Sequence, residues 1–538
     1  MQHALFHATF IDYLLIAIYF VFVIGIGFLL KNHMKTGEDF FLSGRSIPGW
    51  ITGLAFLSAN LGALEVMGMA ASGAEYGLLT AHYYWIGAIP AMLFLGLYMM
   101  PFYYATRVRS VPEYLKMRFN EATRAVNAFS FGIMTVLTSG ISLYSMALIF
   151  QVLIGWSLTA SIFISAVVVL IYVGLGGLTS SIYNEVIQFF LIWAGLLLIP
   201  LLGIHDLGGW NGMMARLPAS FGHLWQNLDS PAHNAMQIDW LGVVLGLGFV
   251  LSFGYWTTDF LVVQRTLAAR NLRAAQNTPI YASFFKMIVP LLVIIPGLIA
   301  AVLFPNIGKL NGPSYNLALP LLIQHYYPPG MIGLGLTAML ASFMSGMAGN
   351  VTAFTTVWTY DIYQAYINQN ASDEHYIKIG RWAVVVGVVI SIGTAYIAQG
   401  FPSVMDYMQT LFSFFNAPLF ATFLLGMFWK RTTAWGGFFG LLCGIVGAFL
   451  LYIFLPANYF ASAAAGNFWR AWWAWVITTA ITVVISFMTK PKQEGELKGL
   501  VYGLTRAPHY GNLAWYKRPG YLASLSVIIL IVLNIWFW

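Results

Sequence analysis

Fourteen apolar runs, each about 20 residues long and so matched to a bilayer core crossed by an α-helix, dominate this chain. They lie near 11–30, 50–72, 80–104, 124–154, 157–176, 184–203, 240–264, 280–304, 331–358, 380–399, 404–427, 434–455, 469–488 and 521–538. Only 8% of the 538 residues are charged, against about a quarter in soluble domains. Hydrocarbon offers the backbone no hydrogen-bond partner, so a spanning segment must satisfy its own polar groups, as a helix does. The expectation is an all-α, multi-pass integral membrane protein of the cell inner (plasma) membrane.

Basic residues then set the topology. With the N-terminus outside, the loops on the cytoplasmic side hold 21 of the 25 Lys and Arg residues. Among them are Lys31, Lys35, Arg45, Arg107, Arg118, Arg265, Lys378, Lys430 and Arg506. Arg216, Lys309 and Arg470 fall outside, and Lys286 lies within a span. A miscounted helix would swap the sides of every later loop and destroy this partition. Both termini are therefore expected outside, with about 14 transmembrane helices. The net charge of +7 reads as a topology signal and calls for no nucleic acid. The first residues, MQHALFHATFID, lack the basic start of a cleavable signal peptide. A single cysteine, Cys443, excludes an internal disulfide. No metal-ligand spacing, nucleophile elbow or phosphate-binding loop argues for an enzyme. The longer outer loops, 204–239 and 305–330, either pack as short helices over an outer mouth or simply tether their neighbours.

A charge at the bilayer centre costs at least about 2.5–3.5 kcal/mol, so polar groups inside the runs are informative. SANLGALEVMGMAASG, Ser58 to Gly73, holds Asn60, Glu65 and three glycines. Close packing through small residues explains the glycines. It does not explain Glu65, whereas an unwound turn exposing carbonyls to a cation would account for both. In GYWTTDFLVVQR, Gly254 to Arg265, Asp259 and Arg265 could form an interfacial ion pair, and Tyr255 and Trp256 could close a pocket or fill a core. Lys286, in FFKMIVP, either snorkels to the inner face or serves a site. In MLASFMSGMAGN, Met339 to Asn350, Ser342 and Ser345 share one helix face. Hydroxyls there suit a small cation, or helix packing.

These residues resemble the solute:sodium symporters, most closely their sodium/sugar cotransporter branch. The likeness runs through EDFFLSGR at 38–45, SANLG at 58–62, VPEYLKMRFN at 111–120, GGLTSSIYNEVIQ at 176–188, YWTTDFLVVQRTLAA at 255–269, FKMIVP at 285–290, MLASFMSG at 339–346, TYDIY at 359–363 and FLLGMFWKRTTAWGG at 423–437. It implies a LeuT-type fold of two inverted five-helix repeats. Here these would be 47–204 and 240–428, after an accessory helix and loop at 1–46. An external loop, 205–239, would separate them, and three accessory helices, 429–538, would follow.

The resemblance also implies a site. Sodium (Na+), the coupling ion, would bind the backbone oxygens of Ser58 and Leu61, the Ser342 carbonyl and the Ser345 hydroxyl. The family usually has a second serine where this chain has Gly346, which removes one ligand. Glu185 stands at the ion exit. Asn60, Tyr255, Lys286 and Gln409 match residues lining the sugar pocket or its inner gate, which is Tyr255. Glu65 replaces a neutral hydrogen-bonding residue, and Tyr84 replaces a carboxylate. Thr138 lies near another sugar contact. The implied activity is import of a small polar solute, a sugar or sugar-like compound, coupled to sodium by alternating access. The alternatives are a solute-gated sensor or leak channel, and a symporter driven by protons.

Overall fold

The structure is a computed structural model that describes residues 9–31, 36–310, 312–401, 403–455, 459–505 and 513–538. Lys35 and Arg506 of the expected basic loops lie outside the described residues. Among the described residues, eleven helices are long and apolar enough to cross a membrane. Two further helix pairs qualify together but are bent at a short break: Gly49–Asn60 with Ala63–Ala81, by 60°, and Gly242–Thr258 with Phe260–Leu267, by 47°. These are the spans that open the two expected repeats.

The run at 157–176 corresponds to the shorter apolar helix Leu158–Ile171. It meets the next helix, Gly177–Asp206, at Gly177, where φ is +55°. A side chain there would be strained by that φ and would also stand 2.7 Å from the Phe40 carbonyl. The polar stretch after Gly177, expected as a loop, is helical. Its Ser180 and Ser181, like Asn184 and Glu185 at the start of the expected run 184–203, are buried against neighbouring helices, so they need no water.

Each break has a local cause. Leu61 (φ −75°, ψ 46°) and Gly62 (φ −69°, ψ 167°) leave helical geometry between the halves of the first bent span. At the second, Asp259 is extended, and its carboxylate accepts from Leu261 N at 2.9 Å, capping Phe260–Leu267. A third irregularity follows Lys286, where Leu272–Lys286 gives way to Val289–Leu303. Pro290 lacks a donor and its ring would clash with the Lys286 carbonyl four residues back. Trp85 Nε1 donates to the freed Met287 carbonyl at 3.0 Å.

The basic loops interlock on one face. Arg45 Nη2 donates to the carbonyls of Arg107 and Val108 at 3.0 and 2.9 Å, and Arg118 Nε to that of Gly426 at 2.6 Å. At the other end of the helices, the two long loops form the short helices Gly209–Met214, Ala219–Gly222 and Ala318–Tyr326. The second packs on Gly77–Ala81 and the third on Ala63–Tyr76, so these loops cover the broken span rather than merely tether it. Asp12, in the first helix, accepts from Gly330 N at 3.1 Å, and Leu224 N donates to the Phe537 carbonyl at 3.0 Å. The start of the first helix and the end of the last thus share this face.

Candidate solute and cation site

The break at Leu61–Gly62 faces the middle of the helix Ile332–Val357. Ser342 Oγ donates to the Leu61 carbonyl at 2.7 Å, and the hydroxyls of Ser58 and Ser345 are 3.0 Å apart. None of the three serines is exposed. The Ser342 carbonyl also points at the break, 3.8 Å from where a Cβ on Gly62 would lie. Freed carbonyls and hydroxyls are hard oxygen donors of the kind that suit a small alkali or alkaline-earth cation. The residues expected to hold sodium therefore fit that ion in donor chemistry. The resemblance implied only the carbonyl of Ser342, whereas the shared helix face had also offered its hydroxyl, which here meets the Leu61 carbonyl.

One cavity adjoins this break. It encloses about 860 Å³ of atom-free space, a figure that includes space open to solvent. Asn60, Glu65, Tyr84, Thr138, Tyr255, Lys286 and Gln409 all line it. Lys286 does not snorkel: it is 1% exposed, and Nζ donates to Glu65 Oε1 at 2.5 Å and to Asn60 Oδ1. The rings of Tyr84 and Trp256 stand 4.9 and 5.0 Å from the ammonium, close enough for cation–π attraction. Glu65 lies in the first turn of Ala63–Tyr76, where the positive end of the helix dipole favours a carboxylate. Asn60 Nδ2 donates to Tyr255 Oη at 2.8 Å, and Tyr255 stacks on Phe412 at 4.8 Å. Thr138 spends its hydroxyl on the Met134 and Thr135 carbonyls. Glu65 Oε2 and Gln409 Oε1 are buried with no hydrogen-bond partner.

The Asp259–Arg265 ion pair is not formed. Asp259 turns back to cap its own helix and lines the cavity. Arg265 instead binds Glu185, with Nη2 2.6 Å from Oε1 and both side chains 0% exposed. Ser181 Oγ donates to the same carboxylate oxygen at 2.6 Å. Arg265 also reaches Thr352, two turns beyond Ser345 toward the basic-loop face. Glu185 is thus locked in a buried pair. Trp256, expected to close a pocket or fill a core, is a wall of the ammonium cage, and Asp259, expected only as an ion-pair partner, is a pocket carboxylate.

A model of the sodium:solute symporter family matches residues 40–444. This chain belongs to that family. The symporter is 32% identical to the sodium/glucose cotransporter of Vibrio parahaemolyticus over 481 residues, 85% of this chain and 87% of that protein. It is 28% identical to the sodium/myo-inositol cotransporter of Homo sapiens, over 90% of this chain and 74% of the relative. A solved Na+-coupled sialic acid symporter, substrate-bound and outward-open, shares its fold at a TM-score of 0.76 and 20% identity, over 90% of this chain and 99% of the other. The likeness to the solved structure shows the LeuT-type architecture; the transporter class, sodium as coupling ion and the absence of an enzymatic role follow from the family.

In this symporter Gly346 is a contact between backbones. A Cβ on it would stand 2.9 Å from Gly62 Cα. Gly346→Ala should therefore push on the broken span, an overpacking worth about 1–3 kcal/mol, and raise the sodium concentration for half-maximal uptake about tenfold. Gly346→Ser carries the same Cβ plus a hydroxyl. If that hydroxyl can serve as a ligand, the serine variant recovers part of the loss; coincident sodium titrations for the two variants would show that it does not.

Proposed function

We propose that this symporter imports a sugar or polyol together with sodium by alternating access. One observation carries the reading. Asn60 is the last helical residue before the break and bonds both Lys286 and Tyr255 in the cavity wall. A cation that orders Ser58, Leu61, Ser342 and Ser345 thereby orders the solute-binding groups. Coupling requires such a difference in ion free energy between states. Solute binds among Asn60, Glu65, Tyr84, Thr138, Lys286 and Gln409, where the free acceptors on Glu65 and Gln409 take hydroxyl protons. Tyr255 closes the inner side, and Glu185 guards the ion exit. One helix bundle, drawn from the repeats at 47–204 and 240–428, rocks against the other. Support for the solute class comes from the sugar and inositol cotransporters among the relatives.

Purified protein in proteoliposomes should accumulate a neutral sugar or polyol under an inward sodium gradient. Accumulation under a proton gradient alone would replace sodium by protons, and equilibration without accumulation would mean a channel or sensor. Ser345→Ala should raise the half-saturating sodium concentration about tenfold, one lost ligand being worth about 1.4 kcal/mol. An unchanged sodium titration would place the ion elsewhere.

A further inference from the structure

Among the described residues lining the cavity, Lys286 is the one basic side chain, and the protein already uses it. Glu65 and Asn60 accept from Lys286 Nζ, and two aromatic rings face the same ammonium. An ammonium has three donors and no acceptor; two of the three are spent on Glu65 and Asn60, and its charge is already countered by the Glu65 carboxylate. The unspent atoms on the wall are the acceptors Glu65 Oε2 and Gln409 Oε1 and the neutral Tyr84 hydroxyl, none of which offers a positive charge to an anion. A second carboxylate, Asp259, lines the same space, and Arg265, the nearest basic residue along the chain, is occupied by Glu185. A carboxylate-bearing solute would have to draw Lys286 away from Glu65 and leave a buried charge unpaired, which is strongly unfavourable.

We propose that the Glu65–Lys286 pair makes this cavity a charge filter, admitting hydroxyl-rich neutral solutes and rejecting sugar acids. The inference rests on the sugar-or-polyol reading above and narrows it. Glu65 is the residue that sets the filter. With glutamine at 65, the hydrogen bond to Lys286 can persist, but the counter-charge is gone, and the freed ammonium becomes a partner for an anionic solute. Likeness of fold does not carry the solute here: the solved sialic acid symporter handles an anion that this wall repels.

The test uses the full chain in proteoliposomes under an inward sodium gradient. Labelled glucose, galactose and myo-inositol are compared with glucuronate, galacturonate and N-acetylneuraminate, each as substrate and as competitor. In the wild type the acids should compete about 100-fold less well than the best neutral solute. In Glu65→Gln the ratio of acid to neutral uptake should rise at least about tenfold. If Glu65→Gln fails to assemble, Glu65→Asp keeps the charge on a shorter arm and should reject acids as the wild type does. Acids competing equally well in the wild type would overturn the filter and leave sodium-driven sugar uptake standing, as would free passage of acids through Glu65→Asp. Absence of sodium-driven uptake of every neutral solute would instead overturn the sugar-or-polyol reading.

Discussion

Lys286→Met is expected to abolish sodium-driven uptake and to lower the melting temperature of the solubilised protein, while Lys286→Met/Glu65→Gln regains the melting temperature but not the uptake. Methionine matches the length of the lysine stem and keeps the packing against Tyr84 and Trp256, but it removes the charge. Glu65 then sits beside the cavity, 12% exposed, with no cation. Breaking a buried pair from one side costs about 3–5 kcal/mol, whereas neutralising both sides costs little. The double variant thus separates folding from function. Its wall lacks the ammonium that holds Asn60 and position 65 in register, so uptake stays at least about 100-fold below wild type. Thermal unfolding in detergent and initial uptake rates read the two effects. Wild-type uptake by the double variant would remove Lys286 from the transport machinery.

Much of this architecture can be read along the chain, because run length and loop charge are linear properties. The helices at 80–104, 404–427 and 434–455 are examples: their observed ends differ from these by a few residues. The misreadings share one physical origin. Hydropathy treats a polar residue as a visitor from water, yet here several are buried inside helices. Gln276, Asn277 and Thr278 are buried, so their helix starts at Leu272 rather than near 280. Thr359 and Asp361 are likewise buried, and their helix runs to Ile367. The pairing of Glu65 with Lys286 was within reach because both charges interrupt apolar runs and the resemblance put both beside the pocket. The partner of Arg265 was not. The bend at Asp259 turns the following helix by 47°, and no spacing rule for a straight helix survives that turn. The role of Gly346 was read as a lost ligand, whereas its contact with Gly62 is a three-dimensional fact that spacing does not encode.

Arg265 gives the second large effect. Its guanidinium ties Phe260–Leu267, the second half of a broken span, to Glu185 and Ser181 on Gly177–Asp206 and to Thr352 on Ile332–Val357. It also donates to the Leu261 carbonyl at 3.0 Å. On the alternating-access reading proposed above, opening the basic-loop side parts these three elements and loosens this pair. Arg265→Met leaves Glu185 fully buried and charged without a cation, at about 3–5 kcal/mol, and the variant should express poorly and melt early. Arg265→Met/Glu185→Leu fills the space with apolar groups, which is often neutral for stability, and should melt close to wild type. Its inner side then lacks this ion pair and keeps neutral contacts, such as Gln264 Nε2 donating to the Phe41 carbonyl at 3.0 Å and to Thr356 Oγ1 at 2.8 Å. If the pair supplies about 1.5–3 kcal/mol to the inward-closed state, sodium should leak through solute-free proteoliposomes about 10–100 times faster than through wild type. Radiolabelled sodium efflux measures this directly. A double variant that is stable and no leakier than wild type would mean that the pair holds the fold together without gating the ion.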